Sequence, residues 1–265
     1  MSEDRVAIEI HDHVADVRMV RGEKHNALDR MMFVALADAA ERLGTVAGVR
    51  AVVLSGDGPS FCSGLDLASL AGGGAEEMMA RPQGEIANLA QRVAYGWVAL
   101  PAPVIAAIHG NCFGGGLQIA LGADIRFAAP DARLSIMESK WGLIPDMGIS
   151  HTLPRLVSID VAKELTFTGR VLSGTEAHGL GLVTHLAEDP AAAARELAVE
   201  IAERSPDAVR EAKRLYERTW QEPTAEGLRM ETELQQALIG SPNQIEAVRA
   251  AIARETPRFT DPTPG

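Results

Sequence analysis

The stretch NCFGGGLQIALGADIRFAAPDARLSIMESKWGLIPDMG, residues 111–148, contains the most informative pattern in the sequence. Its three consecutive glycines at 114–116 begin an apolar segment that is typical of a helix, and a backbone without side chains can bring its N–H groups close to an anionic or carbonyl oxygen. Glu138 and Asp146 follow as carboxylates among apolar residues. Peptide donors beside a carboxylate in apolar surroundings predict proton chemistry next to a carbonyl group.

The segments on either side of this stretch alternate between strand and helix patterns. VAIEIHDHVADVRM (6–19) alternates apolar and polar residues around a polar turn and predicts a hairpin. VRAVVLSG (49–56) and PVIAAIHG (103–110) are short apolar runs, typical of strands that are buried on both faces. Segments with helical spacing precede and separate these strands, so the order predicts an α/β fold.

After about residue 150 the strand patterns nearly disappear, and amphipathic helices follow one another. The chain is therefore predicted to divide into an α/β core, residues 1–200, and an α-helical C-terminal region, residues 201–265. The sequence AGGGAEEMMARPQG, residues 71–84, has low complexity. It predicts either a surface loop or a lid over a substrate tail.

Composition and charge exclude several classes of function. The formal net charge of −11 and the pI near 5.1 disfavour nucleic acid as a partner, because phosphate binding needs a basic face. Cys62 and Cys112 form no evident disulfide framework, which predicts reduced thiols. The N-terminus lacks the layout of a signal peptide, and no apolar run approaches the roughly 20 residues of a membrane span. We therefore expect a soluble, cytoplasmic protein without a membrane partner.

The seven histidines show no metal-ligand spacing, so no metal site is expected.

Four segments in order resemble the crotonase superfamily, which contains the enoyl-CoA hydratases and isomerases. They are the 111–148 stretch, RGEKHNALDRMM (21–32), SFCSGLDLASL (60–70) and SPDAVREAKRLYE (205–217). The resemblance runs from about residue 5 to residue 259. It implies a crotonase-like spiral of ββα units with an α-helical C-terminal region for trimerisation, and assembly as a homotrimer or a dimer of trimers. It also implies an acyl-CoA thioester substrate and no cofactor, since coenzyme A is part of the substrate.

The resemblance assigns the oxyanion donors to the backbone N–H groups of Leu65 and Gly115. Removal of an α-proton, or addition of water to the neighbouring double bond, places negative charge on the thioester oxygen. Each well-aimed N–H donor is worth roughly 3 kcal/mol of the barrier to such a reaction. Gly64 would allow the turn before Leu65 to form.

The acidic positions depart from the two-glutamate pattern of family hydratases. The second glutamate is present as Glu138, whereas the first position is Gln118, which cannot exchange a proton near neutral pH. Gln118 is expected to line the same site and to hold a water or a substrate carbonyl. Asp146 lies eight positions after Glu138, a spacing that resembles the dienoyl-CoA isomerase branch. The position of Asp146 also resembles that of the nucleophile in halobenzoyl-CoA dehalogenases, which lack the glutamate.

The resemblance further implies contacts with coenzyme A from four parts of the chain. The first loop and the glycine turn would contribute Lys24, His25, Ala27 and Gly114. The segment around the first donor would contribute Ser63, Gly64, Asp66 and Leu67. The C-terminal region would contribute Lys213 and Phe259, in relatives often from a neighbouring subunit.

A single carboxylate can remove a proton from an enoyl-CoA and return it two carbons away. The preferred prediction is therefore isomerisation of enoyl- or dienoyl-CoA double bonds with Glu138 as proton carrier. Hydration of 2-enoyl-CoA is the alternative. An acyl-CoA-binding pseudoenzyme and a thioester hydrolase or decarboxylase remain further alternatives.

Overall fold

The apolar segments build a six-stranded sheet in the computed structural model, which describes residues 5–66, 78–220 and 224–261. Its strands in spatial order are β1 (Val6–His11), β2 (Val14–Met19), β3 (Ala51–Gly56), β4 (Val104–Ile108), β6 (Ile125–Ala128) and β9 (His185–Leu186). The β1–β2 pair is the predicted antiparallel hairpin, and the remaining pairs are parallel. Parallel pairing explains why residues 51–54 of β3 and all of β4 are apolar and buried, since both faces of these strands are covered.

Helices cover the two faces of this sheet. On one face lie α1 (Arg30–Thr45), α2 (Leu89–Ala99) and α3 (Gly115–Leu121), which pack over Val52 and Leu54 of β3. On the other face lies α7 (Pro190–Ala202), whose Ala194 and Ala198 pack against Ala51 and Val53. Alternate residues of one strand thus bury against different helices, as strand geometry requires.

A smaller sheet sits beside the carboxyl ends of β3 and β4. It consists of β5 (Asn111–Phe113), β7 (Arg133–Ser135) and β8 (Leu172–Ser173). The loop after β3 contacts β5 through a bridge between Cys62 and Cys112, where the N–H of Cys62 donates to Asn111 and the N–H of Phe113 donates to Cys62. The loop after β3 and the segment that contains β5 are distant in sequence, and they therefore run side by side at one edge of the main sheet.

The chain after residue 148 is mainly helical, as predicted. It contains α4 (Ile149–Thr152), α5 (Ile159–Thr168), α6 (Gly174–Gly179), α8 (Pro206–Thr219), α9 (Thr224–Leu238) and α10 (Pro242–Ala253). Arg50, just before β3, donates to Asp261 and to the carbonyl of Phe259, so the end of the described chain folds back onto the sheet. The division at residue 200 stays a prediction.

None of the helices in the described ranges has both the length and the apolar character needed to cross a bilayer.

Candidate active site

A small cavity lies where the loop after β3 meets the start of α3. Its volume is about 70 Å³. The lining residues are Ser63, Gly64, Leu65, Gly114, Gly115, Met137, Glu138, Trp141 and Leu143. The structure thus brings both predicted oxyanion donors and one predicted acid, from three separate stretches of sequence, to a single cavity.

The direction of the Leu65 N–H follows from the hydrogen bond made by the other half of its peptide group. The carbonyl of Gly64 accepts from the N–H of Leu28 at 2.8 Å. In a trans peptide the C=O and N–H point in opposite directions, so the Leu65 N–H points away from Leu28. Within the described residues this N–H donates no backbone hydrogen bond, which leaves it available to a ligand.

The same argument fixes the second donor. The carbonyl of Gly114 accepts from the N–H of Gln118 at 3.0 Å inside the first turn of α3, so the Gly115 N–H points out of the start of that helix. Gly114 itself has φ +52°, which L side chains rarely adopt. A Cβ on it would also lie 3.2 Å from Oε1 of Glu138. Glycine at this position is therefore required by both backbone conformation and space.

Glu138 begins the 3₁₀ turn Glu138–Trp141 and is buried. Its Oε1 accepts from Nε2 of Gln118 at 2.6 Å, while Oε2 has no hydrogen-bond partner among the described residues. Burial raises the pKa of Glu138 above its usual value, and the charge of Asp146 adds to the increase, whereas the hydrogen bond from Gln118 lowers it. A carboxylate with one oxygen anchored and the other unpartnered is suited to moving a proton.

Gln118 lies behind Glu138 and is not part of the cavity wall. Its side chain is 1% exposed, and its Oε1 accepts from the N–H of Met147 at 2.8 Å while its Nε2 donates to Glu138. The expectation that Gln118 holds a water or a substrate carbonyl is therefore corrected, because both ends of the amide are bound to the protein. The residue positions Glu138 and ties it to the 141–148 loop.

Asp146 lies close enough to Glu138 for its charge to influence the pKa of Glu138, but it does not line the small cavity. The residue is exposed overall, yet partial burial of its carboxyl group raises the pKa of that group. The two predicted acids are therefore near each other, but only Glu138 lines the cavity.

The predicted coenzyme A residues near the first donor belong to two loops that hydrogen bonds join. Lys24 and His25 are exposed, and Nδ1 of His25 lies 2.9 Å from Oγ of Ser60. The N–H of Ser63 donates to the carbonyl of His25 at 2.9 Å, which joins the two loops. Ala27 and Asp66 are partly buried beside them, and Leu67 lies outside the described residues.

The assignment of Lys213 to coenzyme A is wrong for this chain. Its Nζ donates to the carbonyls of Trp97 and Ala102 and to Oδ2 of Asp124, at 3.1, 3.2 and 2.8 Å. An ammonium group has three donors, so none remains for a phosphate. Phe259 contacts Arg50 at the amino end of β3, whereas the cavity lies beyond its carboxyl end. A role for Phe259 in the site of the same chain is thus not supported.

Asn26 is a residue that the sequence analysis missed. It is fully buried with φ +54°, its Oδ1 accepts from the N–H of Arg21, and its Nδ2 lies 2.8–3.1 Å from the carbonyls of Asp57, Ser60 and Phe61. The side chain thereby fixes the loop that leads to Leu65. Asparagine tolerates positive φ, which gives a local signal for a turn, but nothing in the local sequence indicates the distant carbonyls.

Comparisons with known proteins identify the family of the chain. A family model described as Enoyl-CoA hydratase/isomerase matches residues 9–262. The Enoyl-CoA hydratase domain-containing protein 2, mitochondrial, of Homo sapiens is 36% identical over 253 residues, covering 93% of this chain and 85% of the relative. The Delta(3,5)-Delta(2,4)-dienoyl-CoA isomerase, mitochondrial, of Mus musculus is 36% identical over 216 residues, covering 76% of this chain and 64% of the relative.

Among solved structures, the enoyl-CoA hydratase from Bacillus anthracis matches with a TM-score of 0.89 and 31% identity, covering 97% of this chain and 99% of that chain. The likeness therefore extends over the core and the C-terminal helices together. The family match, the relatives and the shared architecture lead to one conclusion: the chain is an enzyme with the crotonase fold and belongs to the enoyl-CoA hydratase/isomerase family.

Proposed function

We propose that the enzyme moves a carbon–carbon double bond in an enoyl- or dienoyl-CoA thioester, with Glu138 as the proton carrier. The observation that carries the proposal is the environment of Glu138. Its partner at the position of the first family glutamate is an amide, and that amide is bound at both ends by Glu138 and Met147. A single carboxylate therefore faces the cavity, with one unpartnered oxygen among the described residues.

The reaction proceeds in two proton transfers that balance. The thioester oxygen accepts hydrogen bonds from the N–H groups of Leu65 and Gly115, and Oε2 of Glu138 removes a proton from the α- or γ-carbon. The electron pair of the broken C–H bond moves toward the thioester oxygen, giving a dienolate. Glu138 then returns the proton to the other carbon, so the product has the composition of the substrate. A raised pKa suits a group that must both accept and release this proton.

Asp146 extends the proposal to dienes. Its charge influences Glu138, and its own pKa is raised by partial burial. A second carboxyl group near the first can receive a proton farther along a conjugated chain, which a shift across a diene requires. The likeness to the dienoyl-CoA isomerase of Mus musculus supports this role.

Hydration of 2-enoyl-CoA is the second candidate. The observation that favours it is the likeness to the enoyl-CoA hydratase of Bacillus anthracis across both chains. In that case Glu138 would activate and hold the added water without help from a second glutamate. The two reactions differ by one molecule of water, so mass separates them.

The test is mass spectrometry of 2-enoyl-, 3-enoyl- and 3,5-dienoyl-CoA incubated with the enzyme in D₂O. We expect the double bond to migrate with no change in composition other than deuterium uptake. Glu138→Gln should abolish the migration, and Glu188→Gln, at an exposed glutamate, should not. Addition of water that is lost in Glu138→Gln would establish hydration instead. Release of CO₂ or of free coenzyme A would indicate the decarboxylase or hydrolase alternatives, and no turnover of any thioester would indicate a binding protein.

We also propose that the enzyme is a cytoplasmic homotrimer or dimer of trimers that needs no added cofactor. Large apolar side chains on the C-terminal helices support self-assembly, because Leu228, Ile245 and Ile252 are all exposed in the single chain. Light scattering after size-exclusion chromatography should give a mass that is three or six times that of the 28.2 kDa chain.

A further inference from the structure

Arg21 lies beside the first oxyanion donor without lining the cavity. Its Nη1 is 2.8 Å from Oδ2 of Asp66 and donates to the carbonyl of Ala27 at 2.9 Å. The side chains of Arg21 and Asp66 are only 13% and 17% exposed, so this ion pair is shielded from solvent. Asp66 directly follows Leu65 in the chain. The guanidinium thus holds the residue next to the donor.

The backbone connects this ion pair to the direction of the donor. The N–H of Asp66 donates to the carbonyl of Leu28 at 3.0 Å, and the N–H of Leu28 donates to the carbonyl of Gly64 at 2.8 Å. The peptide group that carries the Leu65 N–H is therefore fixed by Leu28 on one side and by Asp66 on the other. Arg21 contacts both of these segments. It donates to the carbonyl of Ala27, just before Leu28, and pairs with the carboxylate of Asp66, just after Leu65.

The ion pair also affects the charge near the site. A carboxylate one residue past an oxyanion donor opposes the growth of negative charge on the thioester oxygen, and an adjacent guanidinium offsets that field. Nη1 of Arg21 also lies 3.5 Å from Oδ2 of Asp29, but Asp66 is the nearer carboxylate at 2.8 Å, and Arg5 donates to Asp29 from two nitrogens. The pairing of Arg21 with Asp66 therefore has a local function.

We propose that Arg21 is a positioning residue of the oxyanion hole, which aims the Leu65 N–H through its ion pair with Asp66 and offsets the charge of that carboxylate. The inference rests on the proposed role of Leu65 in polarising a thioester carbonyl. It holds whether the enzyme isomerises or hydrates, because both reactions place charge on the same oxygen.

The test compares Arg21→Met and Arg21→Lys with the wild-type enzyme. Removing a whole donor costs about 10²–10³ in kcat and a small misplacement up to about 10², so Arg21→Met should lower kcat by about 10- to 100-fold with KM changed by less than about 3-fold. Arg21→Lys keeps the charge and should lie between the two. Added guanidinium at millimolar concentration should restore part of the activity of Arg21→Met.

A spectroscopic measurement separates positioning from loss of fold. The infrared band of a ¹³C-labelled thioester carbonyl in bound 2,4-hexadienoyl-CoA should move to lower frequency in the wild-type enzyme, because the donors polarise it. In Arg21→Met the band should return toward its position in free solution, while the Tm shows that the variant is folded. This measurement needs no turnover, so it remains valid if the proposed isomerisation fails.

Arg18→Met is the matched control. Arg18 forms a similar ion pair with Asp57 at 2.9 Å, but that pair is 37% and 42% exposed and does not contact Leu28 or Leu65. The control should keep the wild-type kcat and carbonyl band. A carbonyl band in Arg21→Met that matches the wild-type band, or an equal loss of kcat in Arg18→Met, would overturn the proposal.

Discussion

At the level of single residues, the hydrogen bond from Gln118 determines how the carboxylate of Glu138 can act. The amide cannot share or transfer the proton, so it gives the carboxylate a fixed orientation and a donor that partly opposes the effect of burial on its pKa. A glutamate at the same position would face Glu138 at 2.6 Å, where two ionised carboxylates cannot coexist. A glutamine at position 118 can therefore only orient Glu138, whereas a glutamate there could also transfer protons.

The pH dependence of activity tests this role. Glu138 must be ionised to accept a proton, so kcat/KM should fall on the acidic side with an apparent pKa above the usual 4.5 of a glutamate. Gln118→Leu removes a donor that lowers this pKa, and the acidic limb should therefore move to higher pH. Gln118→Glu should move it in the same direction, because a like charge disfavours ionisation.

The measurement is kcat/KM from pH 4 to pH 9 for the two variants and the wild-type enzyme, a range that spans the ordinary carboxyl and histidine values of about 4 and 6.5. Gln118→Leu also leaves the N–H of Met147 without its acceptor, which should cost about 1–3 kcal/mol of folding free energy. An acidic limb that stays in place in both variants would mean that a group other than Glu138 is the base.

At the level of elements, the site depends on how closely α3 approaches the loop after β3. A Cβ on Gly116 would lie 2.5 Å from the carbonyl oxygen of Cys62, and a Cβ on Gly64 would lie 2.7 Å from that of Phe113. The backbones therefore touch without intervening side chains. This contact sets the separation of the two donors, since Gly115 and Leu65 belong to the two touching segments.

Gly116→Ala tests the contact between α3 and the loop. Alanine is the better helix former, but the clash with the backbone of Cys62 should dominate and destabilise the protein by about 1–3 kcal/mol, with a loss of kcat. Gly179→Ala, in α6, is the matched control, because a Cβ there meets nothing within 4 Å. The control should leave kcat unchanged and stabilise the fold by up to about 1 kcal/mol. Urea denaturation and initial rates measure both effects. Equal stability changes in the two variants would contradict this account.

Much of the element order and the general location of the site could be predicted from the sequence. Local patterns were sufficient for the hairpin, for β3 and β4 and for the glycine start of α3, because alternation and backbone freedom are properties of short segments. The motif order then placed Leu65, Gly115 and Glu138, which the structure brings to one cavity.

The rest depends on contacts between distant segments. The carbonyls that satisfy Lys213 lie 116 and 111 positions away, and the N–H that binds Gln118 lies 29 positions away. No local pattern indicates such partners, so the sequence alone predicts an available Lys213 and a Gln118 that faces the substrate. The hydrogen bonds of Asn26 were missed for the same reason.

At the level of the whole molecule, Lys213 joins the C-terminal helices to the core. It belongs to α8, and its partners are the carbonyl of Trp97 in α2, the carbonyl of Ala102 just after α2, and the partly buried carboxylate of Asp124, which also accepts from the N–H of Val104 in β4. Burial raises the pKa of Asp124, and the charge of Lys213 opposes that increase. The two charges are therefore acceptable inside the protein only as a pair.

Lys213→Met should destabilise the enzyme by about 1–3 kcal/mol, because it leaves the partly buried carboxylate of Asp124 without its cation and two carbonyls without their donor. If the lysine instead bound coenzyme A, the main effect would be a higher KM with little change in stability. Urea denaturation and KM for an enoyl-CoA distinguish the two results. Lys163→Met, at an exposed position of α5, is the control and should alter neither quantity. A raised KM with unchanged stability would restore the assignment that the structure overturns.

The carbonyl of Gly64 is held by Leu28, and this bond aims the neighbouring N–H whatever side chain residue 65 carries. Among the twenty encoded amino acids only proline lacks that hydrogen, so nearly every point mutation at this position leaves the donor in place. The Leu65 N–H is thus insensitive to the side chain that residue 65 carries, whereas the functional groups of Gln118, Glu138 and Asp146 can each be exchanged by one substitution. Under the proposed mechanism, substitutions at these three positions would change the reaction while the backbone donor to the thioester oxygen stays in place.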